Sequence, residues 1–267
     1  MIKGAILSIK HQNYIQNIFS ILDDIGRKAS FDNAIIDFGC GTGQTVKLLL
    51  QKGYRNTVGF DIDPERIEIA KKSVTPEHQS CFHTINICPY HLPIQDDSVD
   101  FLFSSQVLEH VEVLDEVFSE LSRIMKSDAI SVHIFPPKFR LLETHTHVPF
   151  GNTFRSTGWH RLWILLGFRQ TLTEHLSSTQ CAQAHLAYLR KRTFYRTEKE
   201  IIAIANRHDL KAYFLNGLKY SHNLRVLQPM APFKLTKFFY SSFISKLLVL
   251  EPDNNKQNSS LRADFGS

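Results

Sequence analysis

Cysteine is scarce in this chain: four among 267 residues, at positions 40, 81, 88 and 181. They form no C-x-x-C pair and no metal-ligand set, so neither a disulfide framework nor a resident metal is expected, and the usage suits a reducing cytoplasm. Long apolar runs are also missing. Met1 to Lys10 lacks the apolar core of an export signal, and no stretch is long and uncharged enough to cross a bilayer. Internal repeats are absent. What is left is a chain sized for one large domain, or for one domain carrying an insertion.

Glycine is not abundant, but three of the 12 fall within five residues. Ala34 to Phe38 is a short apolar run ending in Gly39-Cys40-Gly41-Thr42-Gly43, and Thr45 to Gln51 reads as helix. Glycine tolerates positive φ and lets a ligand approach the backbone, so this is a loop pressed against something. The helix behind it turns its free amides and positive dipole end toward that loop. A dinucleotide-binding turn has the order G-x-G-x-x-G, and position 44 is Gln, which argues against a nicotinamide oxidoreductase. The order here is D-x-G-x-G-x-G, with Asp37 at the strand end. A second strand follows and ends in Gly59-Phe60-Asp61-Ile62-Asp63, placing an acid at the same sheet edge. The two make a nucleoside site at the C-terminal edge of a parallel sheet.

The remaining strands keep this order. Asn86-Ile87 closes the third. Leu92-Pro93-Ile94 and Ser98-Val99-Asp100-Phe101 lead into the fourth, which closes with Ser104-Ser105-Gln106-Val107-Leu108-Glu109-His110. With these motifs in register over residues 30 to 135, and more loosely over 197 to 216, the chain resembles the Rossmann-like (class I) S-adenosylmethionine-dependent methyltransferases of the type 11 kind. The resemblance implies a methyltransferase sandwich: a mostly parallel seven-stranded sheet with helices on both faces. Asp37 and the backbone of Gly39, Cys40 and Gly41 would hold the amino-acid end of S-adenosylmethionine, and Asp61 the ribose hydroxyls. Ile62 would lie against the adenine face, and Asn86 with the Ile87 amide would meet its edge. The family usually has Asp at the Asn86 position. Ser104 and Gln106 would pass the methionine moiety. Read without the resemblance, Asp37 and Asp61 are turn or cap acids and Asn86 a self-satisfied strand-end amide. Cys40 reads as a small residue in a tight turn, and Glu109-His110 as capping and packing.

Periodicity supplies the element order. Ser8 to Ile25 is an amphipathic helix presenting Ile15, Ile18, Phe19, Leu22 and Ile25 on one face. Strands are expected near 34–38, 57–61, 81–87, 99–104 and 129–135, with helices near 43–52, 64–73 and 111–126. Alternation of this kind argues for a parallel sheet covered on both faces. After Pro136-Pro137 comes an α-helical insertion, 136–196, and residues 197–230 resume the fold with a helix at 198–208 and a strand near 211–216. The last part, 231–267, reads as an amphipathic helix over 232–250, with Leu235, Phe239, Phe243 and Leu247 in step. A polar, disordered stretch ends the chain.

Charge divides the chain. Residues 1–135 hold 12 Lys/Arg against 18 Asp/Glu, whereas 136–196 hold 9 against 2. A basic segment beside an acidic cofactor half would gather anionic acceptors. Glu143-Thr144-His145-Thr146-His147-Val148-Pro149-Phe150 follows the fifth strand directly. This E-x-H-x-x-x-P-F stretch resembles segments of bacterial methyltransferases from polysaccharide and glycolipid pathways. His145, Glu143 or His147 is placed to remove a proton from an acceptor hydroxyl. A metal held by His145 and His147 would need a third ligand. Trp159, Leu162, Trp163 and Leu166 form an aromatic stripe read as packing under a lid.

The leading expectation is O-methylation of an anionic or sugar-bearing small molecule or a lipid-linked glycan, with S-adenosyl-L-methionine as donor and S-adenosyl-L-homocysteine as product. The alternatives are an isoprenoid quinone precursor, a nucleic acid, which nothing in the chain favours, and a non-catalytic S-adenosylmethionine-binding partner. The apolar, basic 232–250 segment would cover the sheet, form a homodimer contact or lie on the inner face of a membrane.

Overall fold

The computed structural model describes residues 2–87, 89–169, 175–221 and 234–254. Seven strands form one sheet in the order β3-β2-β1-β4-β5-β7-β6. Strands β1 (Ile35–Phe38), β2 (Thr57–Asp61), β3 (Phe82–Thr84), β4 (Val99–Ser105) and β5 (Met125–Phe135) are mutually parallel. β7 (Lys246–Pro252) runs antiparallel between β5 and β6 (Leu210–Leu215). The central strands are apolar because both faces are covered: β1 is buried at every position.

One face packs under α4 (Leu114–Ile124) and α7 (Glu198–Arg207), through Leu102, Phe118, Leu121, Ile201 and Leu248. The other lies under α1 (Ile2–Asp24), whose Ile15, Ile18, Ile21 and Leu22 cover Phe101, Phe103 and Val132. Beside it α2 (Gln44–Gln51) and α3 (Pro64–Lys72) close on Phe82. Local signals fix the helix starts. Asp63 caps α3 by accepting from the Glu65 and Arg66 amides, and Thr197 with Glu200 makes a capping box on α7. Asp100 ties the strand starts together: it accepts from the Ala34 amide at 2.7 Å and from Lys126 Nζ at 2.8 Å.

Chain order reverses between β1 and β4. After β1 the sheet grows toward β2 and β3, and then restarts on the other side with β4. Ligands of open α/β sheets bind outside the strand ends at such a point. The glycine loop leaves β1 there, and Gln106 leaves β4 there.

The expected helix over 232–250 is corrected. Helix α8 spans Lys234–Phe243 and stops; Leu247 belongs to β7, wholly buried between two partner strands. The apolar run Leu247–Leu250 carries no helical alternation because both of its faces are covered, and a four-residue spacing inside such a run has no directional meaning. Residues 246–252 thus join the sheet as a strand. The disordered tail expected at the end falls almost wholly on 255–267, outside the described residues. The third strand is shorter than expected, leaving Asn86 and Ile87 beyond it in exposed chain.

The insertion contributes α5 (Thr157–Leu165) and α6 (Ser178–Arg192), packed on each other. The stripe on α5 is not its buried face. His160 and Ile164 are buried, while Leu162 and Leu166 are exposed. Trp159 is held at the edge, donating from Nε1 to the Pro149 carbonyl at 2.8 Å. No described helix is long and apolar enough to cross a membrane.

Candidate active site

The β1 and β2 ends build the first half of the cleft from backbone. Gly39, Gly41 and Gly43 all have positive φ. A Cβ on Gly39 would lie 2.2 Å from Val107 Cγ2, and one on Gly43 would lie 2.4 Å from the Phe82 ring and 2.8 Å from Ala70. These two glycines let the loop pass close to its neighbours. Gly41 differs: a Cβ there would meet nothing nearer than Arg66 Nη1 at 4.0 Å. The space beside it is open, with Arg66 at its border.

Asp61 holds the loop. One carboxylate oxygen accepts from the Gly41 amide at 2.7 Å, the other from the Asp63 amide at 2.9 Å. Asp37 is buried beside it. Burial, and then the charge of Asp61, push its carboxyl up to about 8. Cys40 fills the space left by the missing side chain of Gly59, and burial with the nearby Asp37 pushes its thiol up, so it is an inert packing residue. Ile62 and Ile87 stand 50% and 54% exposed at the sheet edge, two uncovered apolar surfaces.

Helix α1 supplies two residues that sequence reading missed. His11 Nδ1 lies 3.1 Å from Thr45 Oγ1 at the start of α2. The buried Tyr14 hydroxyl lies near Asp37 and Ser105; burial first, and then the charge of Asp37 once it ionises, push its pKa up. Nothing in the periodicity of α1 distinguishes Tyr14 from a core aromatic.

Ser104 is corrected. Its side chain shares the face of Leu102 and is buried, with Oγ 2.7 Å from His133 Nδ1; Ser131 Oγ lies 2.7 Å from His133 Nε2. Strand alternation turns this hydroxyl under the sheet, away from the cleft. Gln106 is exposed with φ 59°, an unusual conformation for a side-chain-bearing residue, and its amide donates to Ile134 O at 2.8 Å.

The second half of the cleft is assembled by the insertion. Its returning end clasps the loop after β4: the Phe194 amide donates to Glu109 O at 2.6 Å, and Arg196 donates to the carbonyls of Val111 and Glu112. Arg155 is likewise engaged with Asn152 and Thr193, so part of the basic charge serves architecture. Arg190, Lys191 and Arg192 end α6, where cations suit the helix dipole.

Of the three expected bases, Glu143 is an anchor. It is 1% exposed and accepts from the amides of His145 and Thr146, each at 2.8 Å, and from Tyr195 Oη at 3.0 Å; His145 Nδ1 is 2.7 Å away. Burial alone would raise its carboxyl, but the bonds from His145, Tyr195 and Thr146 hold it below the usual range. His147 is exposed in a left-handed turn and joins no cluster with His145. His145 instead meets His110, ring centroids 4.9 Å apart, and Tyr188.

Glu109, read as packing from sequence, is the unexpected member. It is 1% exposed, and neither carboxylate oxygen has a hydrogen-bond partner among the described residues. Burial raises its carboxyl to about 7. It borders a narrow cavity with Phe135, Phe194, Tyr195 and Arg196. Arg140 is electrostatically coupled to Glu109 and Tyr195, and its Nη1 is buried without a partner among the described residues. A second, apolar groove runs between the insertion and α8, lined by Phe139, Phe150, Phe154, Phe238 and Phe243.

A parallel sheet with its chain reversal at a glycine loop, and acids ending β1 and β2, defines a class I methyltransferase fold. Residues 36–132 match the family described as "Methyltransferase domain". Over this segment the chain is similar to S-adenosylmethionine-dependent methyltransferase domains. Among curated relatives, an uncharacterized methyltransferase of Bacillus subtilis (strain 168), YodH, is 29% identical over 155 residues, covering 52% of this chain and 61% of that protein. The malonyl-[acyl-carrier protein] O-methyltransferase of Hamiltonella defensa is 30% identical over 96 residues, covering 36% of this chain and 35% of that protein. The chain thus spans no more than 61% of the length of either curated relative. In fold it is similar to an S-adenosylmethionine-dependent methyltransferase from Mesorhizobium loti, with TM-score 0.52 and 13% identity over 82% of this chain and 90% of that one. It is also similar to geranyl diphosphate C-methyltransferase from Streptomyces coelicolor A3(2), with TM-score 0.50 and 14% identity over 89% and 77%.

Proposed function

We propose that this chain transfers the methyl group of S-adenosylmethionine to an oxygen of an acceptor held between the end of β4 and the insertion. The observation that carries the reading is the open side of Gly41, with Asp37 and Asp61 flanking it at the chain reversal. Asp37 would receive the cofactor's ammonium, Asp61 its ribose, Ile62 and Ile87 the adenine faces, and Asn86 the adenine edge. Gln106 and Tyr14 would border the methionine chain. The reaction is a direct displacement: the acceptor oxygen attacks the sulfonium methyl, sulfur leaves as a neutral thioether, and the acceptor's proton passes to a base or water. The protein supplies alignment and exclusion of water.

Acceptor chemistry is read from the other wall. The Arg140 nitrogen, buried and without a partner among the described residues, favours an anionic group, carboxylate or phosphate. The named activity of the Hamiltonella relative, O-methylation of a malonyl group on a carrier protein, is compatible with that preference. A second reading, an acceptor with an aliphatic or lipid tail, is supported by the five-phenylalanine groove and the exposed Leu235, Phe238 and Phe239 of α8.

Calorimetry tests the donor site. S-adenosylmethionine should bind the native chain, and Gly41→Arg, which fills the open side, should abolish binding with the fold intact. Binding retained in Gly41→Arg and Asp61→Ala would sink the assignment. Mass spectrometry after incubation with carboxylated, phosphorylated and prenylated acceptors then identifies the product, a gain of one methyl.

A further inference from the structure

Glu109, His110 and His145 come from two separate parts of the chain, and their ligand-type atoms all lie within 4.8 Å of one another. Each histidine is oriented through one ring nitrogen by an acceptor behind it. His110 Nδ1 lies 2.5 Å from the Arg192 carbonyl, directing Nε2 toward Glu109, 4.0 Å from its Oε1. His145 Nδ1 lies 2.7 Å from Glu143, itself fixed by Tyr195 and two backbone amides. A carboxylate or carbonyl behind each imidazole is the usual support of metal-ligating histidines, because it sets the tautomer and strengthens the donor. Glu109 adds the independent observation: a carboxylate buried to 1% exposure with both oxygens unsatisfied among the described residues. An unsatisfied buried carboxylate is costly, and a cation on it removes the cost.

We infer that Glu109, His110 and His145 form a site for one divalent first-row transition metal ion. Two imidazoles and one carboxylate on one side of the ion suit Fe²⁺, Mn²⁺, Co²⁺ or Zn²⁺ and leave further positions open. Ligand bonds of about 2.0–2.2 Å require donor atoms nearer to one another than 4.8 Å, so loading draws the three side chains together by side-chain rotation. The carboxylates of Glu109 and Glu143 and the guanidiniums of Arg140 and Arg192 are all electrostatically coupled to the cluster, so the two signs are balanced before an ion binds. The open positions would take oxygen atoms of the acceptor. That role rests on the methyl-transfer reading, but metal binding does not, and each is measured separately.

The experiment uses the full chain stripped with chelator and dialysed against Co²⁺, and separately against Zn²⁺. The expected result is one equivalent per chain, with a visible Co²⁺ ligand-field spectrum, and a rise in thermal midpoint on loading. Glu109→Gln, His110→Gln and His145→Gln should each weaken binding at least tenfold. Glu143→Gln, which touches no metal, should weaken it about 10–100-fold by releasing His145. S-adenosylmethionine affinity, read in parallel, should stay unchanged in His110→Gln and His145→Gln, showing that they fold. If the native chain takes up neither ion at micromolar concentration, or the three ligand variants bind as it does, the site is refuted. Failure of S-adenosylmethionine to bind would instead overturn the donor assignment and leave the dialysis result standing.

Discussion

On the β1–β2 side of the cleft the loop is shaped by backbone, with Gly39 and Gly43 passing neighbours that leave no room for a Cβ. Asp61 fastens the loop through two amides. On the β4–insertion side the facing groups are side chains, and the backbone serves to fasten one segment to another. Phe194 and Arg196 grip the residues around Glu109, and Glu143 gathers four donors. A backbone cradle suits a donor molecule with fixed dimensions. A wall of side chains on an inserted segment can be changed residue by residue, which suits an acceptor that differs between related enzymes.

The comparison breaks most readily at the glycines. Gly39→Ala places a side chain at φ 79° and 2.2 Å from Val107. It should cost about 2–4 kcal/mol in denaturant unfolding, combining left-handed strain with overpacking, and should abolish S-adenosylmethionine binding. Glu143→Gln, on the other wall, should cost about 1–3 kcal/mol of stability, from bonds made by a buried carboxylate. It should leave donor affinity within about twofold, since additivity holds between sites that share no partners. Loss of donor binding in Glu143→Gln would show that the halves are one cooperative unit.

Asp37 should give the donor side a pH signature that the acceptor side lacks. In the free protein its carboxyl is pushed up to about 8 from 3.8, so the folded chain holds a proton there at neutral pH. Its contribution to stability accordingly falls as pH rises from 3.8 toward 8. The cofactor's ammonium favours the charged carboxylate, so binding between those values releases a proton and tightens as pH rises, up to about tenfold per unit. Calorimetry in two buffers of different ionisation enthalpy should register that proton at pH 7, and Asp37→Asn should remove it. Equal heats in both buffers for the native chain would separate Asp37 from the ammonium.

Smaller effects sharpen the picture. Arg140→Gln should raise KM for an anionic acceptor about tenfold, the equivalent of about 1.4 kcal/mol, with donor affinity unchanged. Ile62→Ala should weaken the donor only several-fold, about 1 kcal/mol for the apolar area lost from the adenine face. A larger loss there would mean that Ile62 also shapes the loop.

The glycine loop, the acids ending β1 and β2, and the strand–helix alternation were legible in the sequence because each is a local requirement. A positive φ asks for glycine, a buried parallel strand asks for an apolar run, and a helix start asks for a cap. Ser104 was misjudged because motif position does not say which face of a strand a side chain takes. Residues 246–250 were misjudged because an apolar run buried on both faces has no period. The basic insertion was legible as charge, but not in its use: Arg155 and Arg196 are engaged by carbonyls and polar side chains that lie elsewhere in sequence.

The amino-acid sequence by itself determined the β1–β2 half of the cleft, since Asp37 to Gly43 and Asp61 are separated by one helix and meet through adjacent strands. Only the tertiary structure decided the other half. Glu109 and His145 are 36 positions apart in the chain, and Tyr195 lies further still. They meet because the insertion folds back on the end of β4, where burial leaves the Glu109 carboxylate without a hydrogen-bond partner among the described residues.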